Sequence, residues 1–403
     1  MNGFSLFKRG ECPVCSGAKK GCRESSTSKM VFCRESSANP SGYIFRGCDK
    51  WGFGMWQPSE EAEAFAQKSK EEWQREQEQR RLEKERRQKQ QIASQLSAGD
   101  RHEWYSKLLD QLRLDKPDRA DLERRGFNPS QIEADGYGSV GQWQQVSGQF
   151  PSNLPGLLSE GMLNSQPGYI FPVKDVNGLI VALSIRLRDG SNGRYRWLTS
   201  ATKKTPDGAT PHLDGELPIA VFEPSEYRGN SIWLTEGLGV KPSLTRYRLG
   251  VPVLGASSGL FSGSPKACQV ALEKLSAKYK TQRLVVPVDA GDVKNPHVSQ
   301  RWKGEFKFLQ GLGYDLQIAW WNQINKSHPD IDELSSIEAI DFITPKQFFD
   351  IANHTKQQVE KDEKLRQERL KREAEDATYQ RLTTIQEKPW KVINTPKSTL
   401  RNC

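Results

Sequence analysis

The sequence lacks any long apolar run, and none of its apolar stretches approaches the roughly 18 residues of a membrane-spanning helix. The first residues, MNGFSLFKRGE, contain no apolar core of signal-peptide length, so we expect a cytoplasmic protein. The phosphate-binding pattern G-x-x-x-x-G-K-[ST] is also missing. Its absence argues against a fused helicase or an ATP-driven nuclease.

Apolar residues are scarce overall, at 35% of the 403 residues, and the mean hydropathy is −0.73. A wholly globular chain carries more, so we expect part of the length to form solvated helix or tail. Lys and Arg (59) outnumber Asp and Glu (50), which leaves a net charge of +9. This modest excess of positive charge favours a polyanionic partner.

Cysteine is nearly absent beyond the first 48 residues, which hold five of the seven. Such clustering is typical of a local metal site in a reducing compartment, and it argues against a disulfide scaffold. The CPVC turn directs the thiolates of Cys12 and Cys15 at one tetrahedral ion. The second pair is less defined by spacing, and Cys22, Cys33 and Cys48 are the candidates.

Changes in composition divide the chain into five segments. They are a zinc-binding ribbon (1–57), a charged helical linker (58–100), a helical and β-rich basic segment (101–217), an α/β segment (218–345) and a charged helical or disordered tail (346–403). In the α/β segment, apolar strands alternate with helical patterns, which is typical of a mainly parallel sheet. The expected fold class is therefore multidomain, α/β and α+β.

Two apolar strands of the α/β segment end directly in carboxylates. SIWLTEG leads to Glu236, and RLVVPVDAGD leads to Asp289 and Asp292. A later stretch, KSHPDIDEL, adds Asp330 and Asp332. Because parallel strands end at the same edge of a sheet, we expect these acids to lie together. Gathered carboxylates repel one another unless a hard cation such as Mg²⁺ binds them, so the pattern predicts metal-assisted phosphoryl transfer.

Residues 231–334 resemble a Toprim domain, the catalytic fold shared by bacterial-type primases and some topoisomerases and nucleases. That family carries Glu-Gly after its first strand and D-x-D after its third. Glu236-Gly237 matches the first element, and Asp289 matches the first aspartate of the second. Gly291 stands where the family has its next aspartate, and Asp292 follows one residue later.

This one-residue shift leaves two arrangements open. A bulge around Ala290-Gly291 would bring Asp292 to the metal site; otherwise Asp292 points into the loop, and Asp330 or Asp332 completes the site. The resemblance implies Mg²⁺ or Mn²⁺ as the catalytic cation. It implies catalytic roles for Glu236, Asp289, Asp292 and Asp332, and magnesium binding by the same four residues together with Asp330.

The stretch YIFPVKDVNGLIVALSIRLRDGSNGRYRWLTS resembles the part of bacterial replicative primases that guides template and nucleotides. The matching positions are Phe171-Pro172, Asp175, Gly178, Arg186 and Arg194-Tyr195. Basic side chains suit phosphates and aromatic rings suit stacked bases. The predicted nucleic-acid-binding residues are Arg186, Arg188, Arg194, Tyr195, Arg196, Trp197, Lys203, Lys204 and, in the next segment, Lys241.

The order of zinc ribbon, basic segment and Toprim-like segment resembles the primase-like proteins of bacterial plasmids and phages. This resemblance favours Cys12, Cys15, Cys22 and Cys33 as ligands of a structural zinc ion, with Cys48 in place of Cys22 as the alternative. It implies synthesis of short RNA primers from ribonucleoside triphosphates on single-stranded DNA, and a replicative helicase is a candidate partner. A Toprim nuclease and a non-catalytic, single-stranded-DNA-binding replication factor are the alternative functions.

Overall fold

The computed structural model of the protein describes residues 3–8, 10–17, 21–35, 40–49, 51–60, 70–190, 193–334 and 338–386. The predicted linker residues 61–69 and the predicted tail residues 387–403 lie outside these ranges. Three separate sheets and their helices confirm the expected multidomain organisation of mixed α/β type. Within the described ranges, no helix combines the length and the apolar character needed to cross a bilayer.

The cysteine-rich module is a small antiparallel sheet in the order β1-β2-β3-β5-β4. Its strands are β1 (Phe4–Leu6), β2 (Arg23–Ser25), β3 (Val31–Cys33), β4 (Tyr43–Cys48) and β5 (Gly54–Pro58). Its buried core consists of Cys12, Val14, Cys22, Val31, Cys33 and Trp56. A core this small is typical of modules that need a metal ion or a disulfide for stability.

The linker forms helix α1 (Lys70–Ala93), whose large apolar side chains Trp73, Leu82 and Ile92 are few and exposed. Pairs one turn apart, such as Arg80–Glu76 and Arg81–Glu85, lie along its exposed side. Exposed pairs of this kind contribute only about 0.3–0.5 kcal/mol each. The helix therefore lies between the cysteine-rich module and the basic segment in the chain and has no apolar core of its own.

The basic segment packs three helices on a four-stranded antiparallel sheet in the order β6-β7-β8-β9. Its elements are α2 (Ala98–Leu109), α3 (Lys116–Arg124), α4 (Pro129–Asp135), β6 (Gly138–Val140), β7 (Gly168–Lys174), β8 (Ile180–Leu187) and β9 (Tyr195–Trp197). The turn between β7 and β8 follows from the sequence. Asp175 Oδ1 accepts the N–H groups of Asn177 and Leu179, and Gly178 adopts φ +77°.

The α/β segment is a six-stranded sheet in the order β10-β12-β11-β13-β14-β15. Its strands are β10 (Ala220–Phe222), β11 (Ile232–Glu236), β12 (Val253–Ala256), β13 (Arg283–Pro287), β14 (Asp315–Trp320) and β15 (Asp341–Ile343). The four central strands are parallel, as predicted, whereas β10 and β15 pair antiparallel at the two edges. The residues described between β14 and β15 form no helix, which suits an antiparallel return.

Helices cover both faces of this sheet, so its central strands are buried on each side. The helices are α5 (Val240–Leu249), α6 (Pro265–Tyr279), α7 (Pro296–Gly311) and the first turns of α8 (Pro345–Gln386). Trp302 and Phe306 of α7 stack under the sheet beside the buried Phe348 of α8. Beyond Ala352, helix α8 exposes apolar side chains such as Val359 and Leu365 to solvent.

The basic segment and the α/β segment share one apolar cluster, in which Phe171 of β7 and Tyr137 pack with Leu244 of α5. The contact at the start of α5 is tight. A Cβ atom on Gly239 would lie 2.7 Å from the ring of Phe171, so only glycine fits there. This packing sets where the first turn of α5 lies relative to the ends of β11 and β13.

Candidate functional site

Glu236 is the last residue of β11 and follows four buried residues. Gly237 turns the chain sharply with φ +100°, and its N–H donates to Ala256 O of the neighbouring strand at 2.8 Å. The Glu236 side chain remains 36% exposed, and its Oε2 lies 3.4 Å from Arg301 Nη2 of α7. The strand therefore holds an accessible carboxylate at the carboxyl edge of the sheet.

Asp289 and Asp292 occupy a turn just after β13, not a bulge within the strand. The Asp292 N–H donates to Asp289 O at 3.1 Å, and Gly291 supplies the left-handed conformation with φ +83°. Asp292 is only 6% exposed, and its Oδ2 accepts the indole N–H of Trp302 at 2.9 Å. The extra residue before Asp292 is thus accommodated by a tight turn that directs its carboxylate inward.

The loop after β14 brings two more carboxylates to this edge. Asp330 Oδ1 accepts the N–H of Ala290 at 2.9 Å, which joins this loop to the turn after β13. Asp332 is 3% exposed, and its Oδ2 lies 3.8 Å from Arg125 Nη2 at the end of α3. Its other oxygen, Oδ1, is buried and has no hydrogen-bond donor among the described residues.

Lys241 lies in the first turn of α5, among the carboxylates at this edge of the sheet. These carboxylates form the acidic cluster, which consists of Glu236, Asp289, Asp292, Asp330 and Asp332. The Lys241 Nζ is 2.7 Å from Asp289 Oδ1 and 2.9 Å from Asp330 Oδ2. The role of Lys241 in binding nucleic acid stays a prediction; in this structure its ammonium group contacts two carboxylates. Because α5 begins directly after β11, its first turn lies over the carboxyl edge of the sheet, where the neighbouring aspartates bind the ammonium group.

Burial raises the pKa values of the aspartates at this edge. The pKa of Asp289 rises to about 7, because burial and the nearby Asp330 and Glu236 outweigh the opposing effect of Lys241. Burial likewise raises the pKa of Asp292, against the hydrogen bond from Trp302. These shifts mean that ionised carboxylates are costly here unless a cation binds them.

The donor set suits a hard divalent cation. Carboxylate oxygens are the ligands that Mg²⁺ and Mn²⁺ prefer, and Asp332 Oδ1 is a buried acceptor that lacks a partner among the described residues. No three of these carboxylates bring their oxygens within 4.8 Å of one another in the described part of the chain. The arrangement therefore fits an ion that takes one or two carboxylates and completes its shell with water or phosphate, as Mg²⁺ commonly does.

The cysteine cluster is much tighter than the acidic one. The sulfur atoms of Cys12, Cys15, Cys22 and Cys33 all lie within 4.8 Å of one another. The Sγ–Sγ distance is 3.7 Å for Cys15–Cys22 and 3.5 Å for Cys22–Cys33, far above the roughly 2.05 Å of a disulfide. A tetrahedral ion with bonds of about 2.3 Å separates its sulfur ligands by about 3.8 Å, so these four cysteines could hold a metal ion. Cys48 is exposed at the end of β4 and is not part of this group.

The basic residues of β8, β9 and the following loop fall into two groups. Arg186 binds Asp121 at 3.1 Å, and Arg188 binds both Asp118 and Asp115 through side-chain hydrogen bonds. The second group, which forms the basic face, is exposed to solvent. It consists of Arg194, Tyr195, Arg196, Lys203 and Lys204, and Trp197 is half-buried. Only the second group presents its charge without competition from a carboxylate in the contacts described.

Two arginines at the acidic cluster were not among the predicted site residues. Arg125 lies between Asp332 and the Tyr195 hydroxyl, to which its Nη1 donates at 3.1 Å, and it joins the acidic cluster to the basic face. Arg301 reaches Glu236 from α7. Neither lies in a recognisable motif, and Arg125 is more than 200 residues from Asp332, so no local signal pointed to them.

Comparison with known proteins identifies distant structural neighbours only. No family model matches the chain, and no curated protein sequence matches it significantly. A DNA primase domain from Pseudomonas aeruginosa is 13% identical with a TM-score of 0.42, covering 58% of this chain and 74% of that chain. The zinc-binding and RNA polymerase domains of the Aquifex aeolicus primase are 12% identical with a TM-score of 0.41, covering 87% and 80% respectively.

A third neighbour is the RNA polymerase domain of the Mycobacterium tuberculosis primase, in complex with a double-stranded DNA oligomer that has a 6-nucleotide overhang. It is 14% identical with a TM-score of 0.41, covering 64% of this chain and 81% of that chain. Likenesses at these scores are too distant to assign an activity.

Proposed function

We propose that this protein is a DNA primase, which synthesises short RNA primers from ribonucleoside triphosphates on single-stranded DNA in plasmid- or phage-type replication. The observation that carries the proposal is the acidic cluster at the carboxyl edge of a parallel sheet. Glu236 and Asp289 come from adjacent strands, Asp292 is turned inward beside them, and Asp332 keeps a buried oxygen without a donor in the described chain. In this proposal the α/β segment is a Toprim domain.

A Mg²⁺ or Mn²⁺ ion bound here would polarise phosphate oxygens and favour ionisation of the primer 3′-hydroxyl. Glu236 is the most accessible carboxylate of the set, and it would act as a metal ligand or as the general acid/base. Asp289, with Asp292 or Asp332, would be the further ligands. Arg301, which lies beside Glu236, would contact the triphosphate.

The exposed basic face would hold the template. Arg194, Arg196, Lys203 and Lys204 offer positive charge to phosphates, and Tyr195 offers a ring for base stacking. Arg125 contacts both Tyr195 and Asp332, so a strand bound on this face would lie next to the acidic cluster. A replicative helicase is a candidate partner for loading the protein on its template.

In this proposal Cys12, Cys15, Cys22 and Cys33 bind a structural zinc ion. The sulfur separations match the spacing that tetrahedral zinc requires. The module also exposes the large aromatic side chains Phe45 and Trp51 and the basic side chain Arg46. Rings and positive charge in this combination suit contact with single-stranded template.

One observation favours a second candidate, a non-catalytic replication factor that binds single-stranded DNA. Lys241 already neutralises Asp289 and Asp330, so part of the acidic cluster is bound by the protein itself. A Toprim nuclease would use the same carboxylates to break a phosphodiester instead of forming one.

One experiment separates the three candidates. The full chain is incubated with single-stranded DNA, labelled ribonucleoside triphosphates and Mg²⁺ or Mn²⁺, and the products are resolved on a denaturing gel. Short labelled products that need the template support the primase. A shortened template indicates a nuclease, and an unchanged template without labelled product indicates a binding protein.

A further inference from the structure

Lys241 places a positive charge where none is expected. It lies in the first turn of α5, and the partial positive charge of a helix N-terminus disfavours a cation at that end. The side chain is only 16% exposed, so its ammonium group gains little hydration in return. The lost hydration is compensated by the two carboxylates that the ammonium group bridges. Its Nζ lies 2.7 Å from Asp289 Oδ1 and 2.9 Å from Asp330 Oδ2.

This bridge engages one side of the acidic cluster. Asp330 uses Oδ2 for Lys241 and Oδ1 for the N–H of Ala290, so both of its oxygens are occupied. Asp289 uses Oδ1 for Lys241. A divalent ion between Asp289 Oδ1 and Asp330 Oδ2 would have to occupy the position of the ammonium group, and two cations that close together in a buried site repel strongly.

The other side of the cluster is open. Among the described residues, no donor contacts Glu236 Oε1 or Asp289 Oδ2, and Asp292 keeps Oδ1 beyond the oxygen bound by Trp302. One divalent ion can take a carboxylate or two from this set and fill its remaining positions with water or phosphate oxygens.

We propose that the Lys241 ammonium group takes the place of a second divalent cation between Asp289 and Asp330, so that the acidic cluster binds one divalent ion, on the side of Glu236 and Asp292. This inference rests on the proposed metal-dependent function. Lys241 is then a positioning residue: it neutralises Asp330, holds the Asp289 carboxylate in place and leaves a single exchangeable ion to respond to nucleotide.

The test counts bound Mn²⁺ by electron paramagnetic resonance, using the full-length, zinc-loaded chain without nucleotide. Wild type should bind one Mn²⁺ with high affinity, and Glu236→Gln should lose it. Lys241→Met has nearly the same length but no charge, so it should gain a second bound Mn²⁺. The double variant Lys241→Met with Asp330→Asn should return to one ion, because the new site needs the Asp330 carboxylate.

Each other result counts against the proposal. Two Mn²⁺ ions in wild type, or a single ion in Lys241→Met, would overturn the role of Lys241 while leaving metal-dependent catalysis intact. No Mn²⁺ in wild type would overturn this inference together with the proposed function. Should Lys241→Met lose its near-ultraviolet circular dichroism, Lys241→Gln takes its place, and Lys241→Arg, which keeps the charge, should retain a single ion.

Discussion

The cysteine cluster and the acidic cluster gather groups that repel when ionised, but they differ in what surrounds them. Three of the four clustered cysteines are themselves part of the core of their module, which has few other buried residues. The carboxylates lie beyond a large apolar core that contains none of them. A metal ion at the cysteines would therefore support the fold itself, whereas an ion at the carboxylates would support chemistry on a fold that stands without it.

Of the changes that test this comparison, loss of zinc should have the largest effect on the structure. Cys15→Ser should release the zinc ion and unfold the cysteine-rich module, while the α/β segment keeps its structure because its core is separate. Zinc analysis combined with hydrogen exchange measures both. Cys48→Ser is the matched control, since Cys48 is exposed outside the cluster, and it should retain the ion. Freshly purified protein without zinc would contradict the assignment.

Removing a carboxylate should leave the fold and abolish the chemistry. Glu236→Gln and Asp289→Asn should each lower primer synthesis by about 10³-fold, because a metal ligand or an electrostatic partner of the reacting phosphate is lost. Affinity for single-stranded DNA should change by only a few fold, measured by fluorescence anisotropy. Glu226→Gln, an exposed change in the same segment, should be silent in both assays. Normal primer synthesis by either carboxylate variant would contradict the proposed catalytic role of the acidic cluster.

The raised pKa of Asp289 predicts a pH effect on stability in buffer free of divalent cations. Burial raises the pKa of Asp289 from 3.8 to about 7 in the folded protein, even though Lys241 favours the ionised form, so the folded protein binds a proton here more tightly than the unfolded chain. Stability should therefore fall as pH rises from 4 to 7, by up to about 4 kcal/mol from this group. Urea unfolding of wild type and Asp289→Asn measures the difference. Parallel pH profiles for the two proteins would contradict the burial of an ionising Asp289.

Asp292 and Asp332 test which side of the acidic cluster carries the reaction. Asp292→Asn keeps an oxygen for the Trp302 indole but loses the charge beside Glu236, so primer yield should fall about 10²-fold. Asp332→Asn should cost less than that, because Asp332 lies on the side of Lys241 and Arg125. The reverse order would move the reacting ion to Asp332, and near-normal yield from both variants would rule out the metal-site hypothesis.

The smallest effects on activity are expected from the arginines of β8, β9 and the loop between them. Arg196 is exposed to solvent, whereas Arg188 forms ion pairs with Asp118 and Asp115. Arg196→Ala should weaken single-stranded DNA binding a few fold and reduce the slope of log affinity against log salt by about 1. Arg188→Ala should instead lower the melting temperature, because it leaves the buried Asp118 without its ion pair. Equal salt slopes for wild type and Arg196→Ala would show that the basic face does not bind phosphates.

Local sequence patterns predicted those parts of the site that are formed by residues close together in the sequence. The apolar run before Glu236, the glycine after it and the Asn-Gly turn at residues 177–178 all behave as their spacing indicates. The choice between Cys22 and Cys48 was not accessible in this way. Both cysteines lie in the same short module, and only the packing of β2 to β5 brings Cys22 among the other sulfurs.

The sequence by itself determined where strands end and which of them end in carboxylates, because alternation, apolar runs and glycine turns act over a few residues. Only the tertiary structure decided that Lys241 bridges Asp289 and Asp330, that Asp292 turns inward to Trp302, and that Arg125 reaches Asp332. These contacts join residues that are 10 to about 200 positions apart in the chain. Their formation depends on how helices and loops pack over the sheet edge, which no local periodicity specifies.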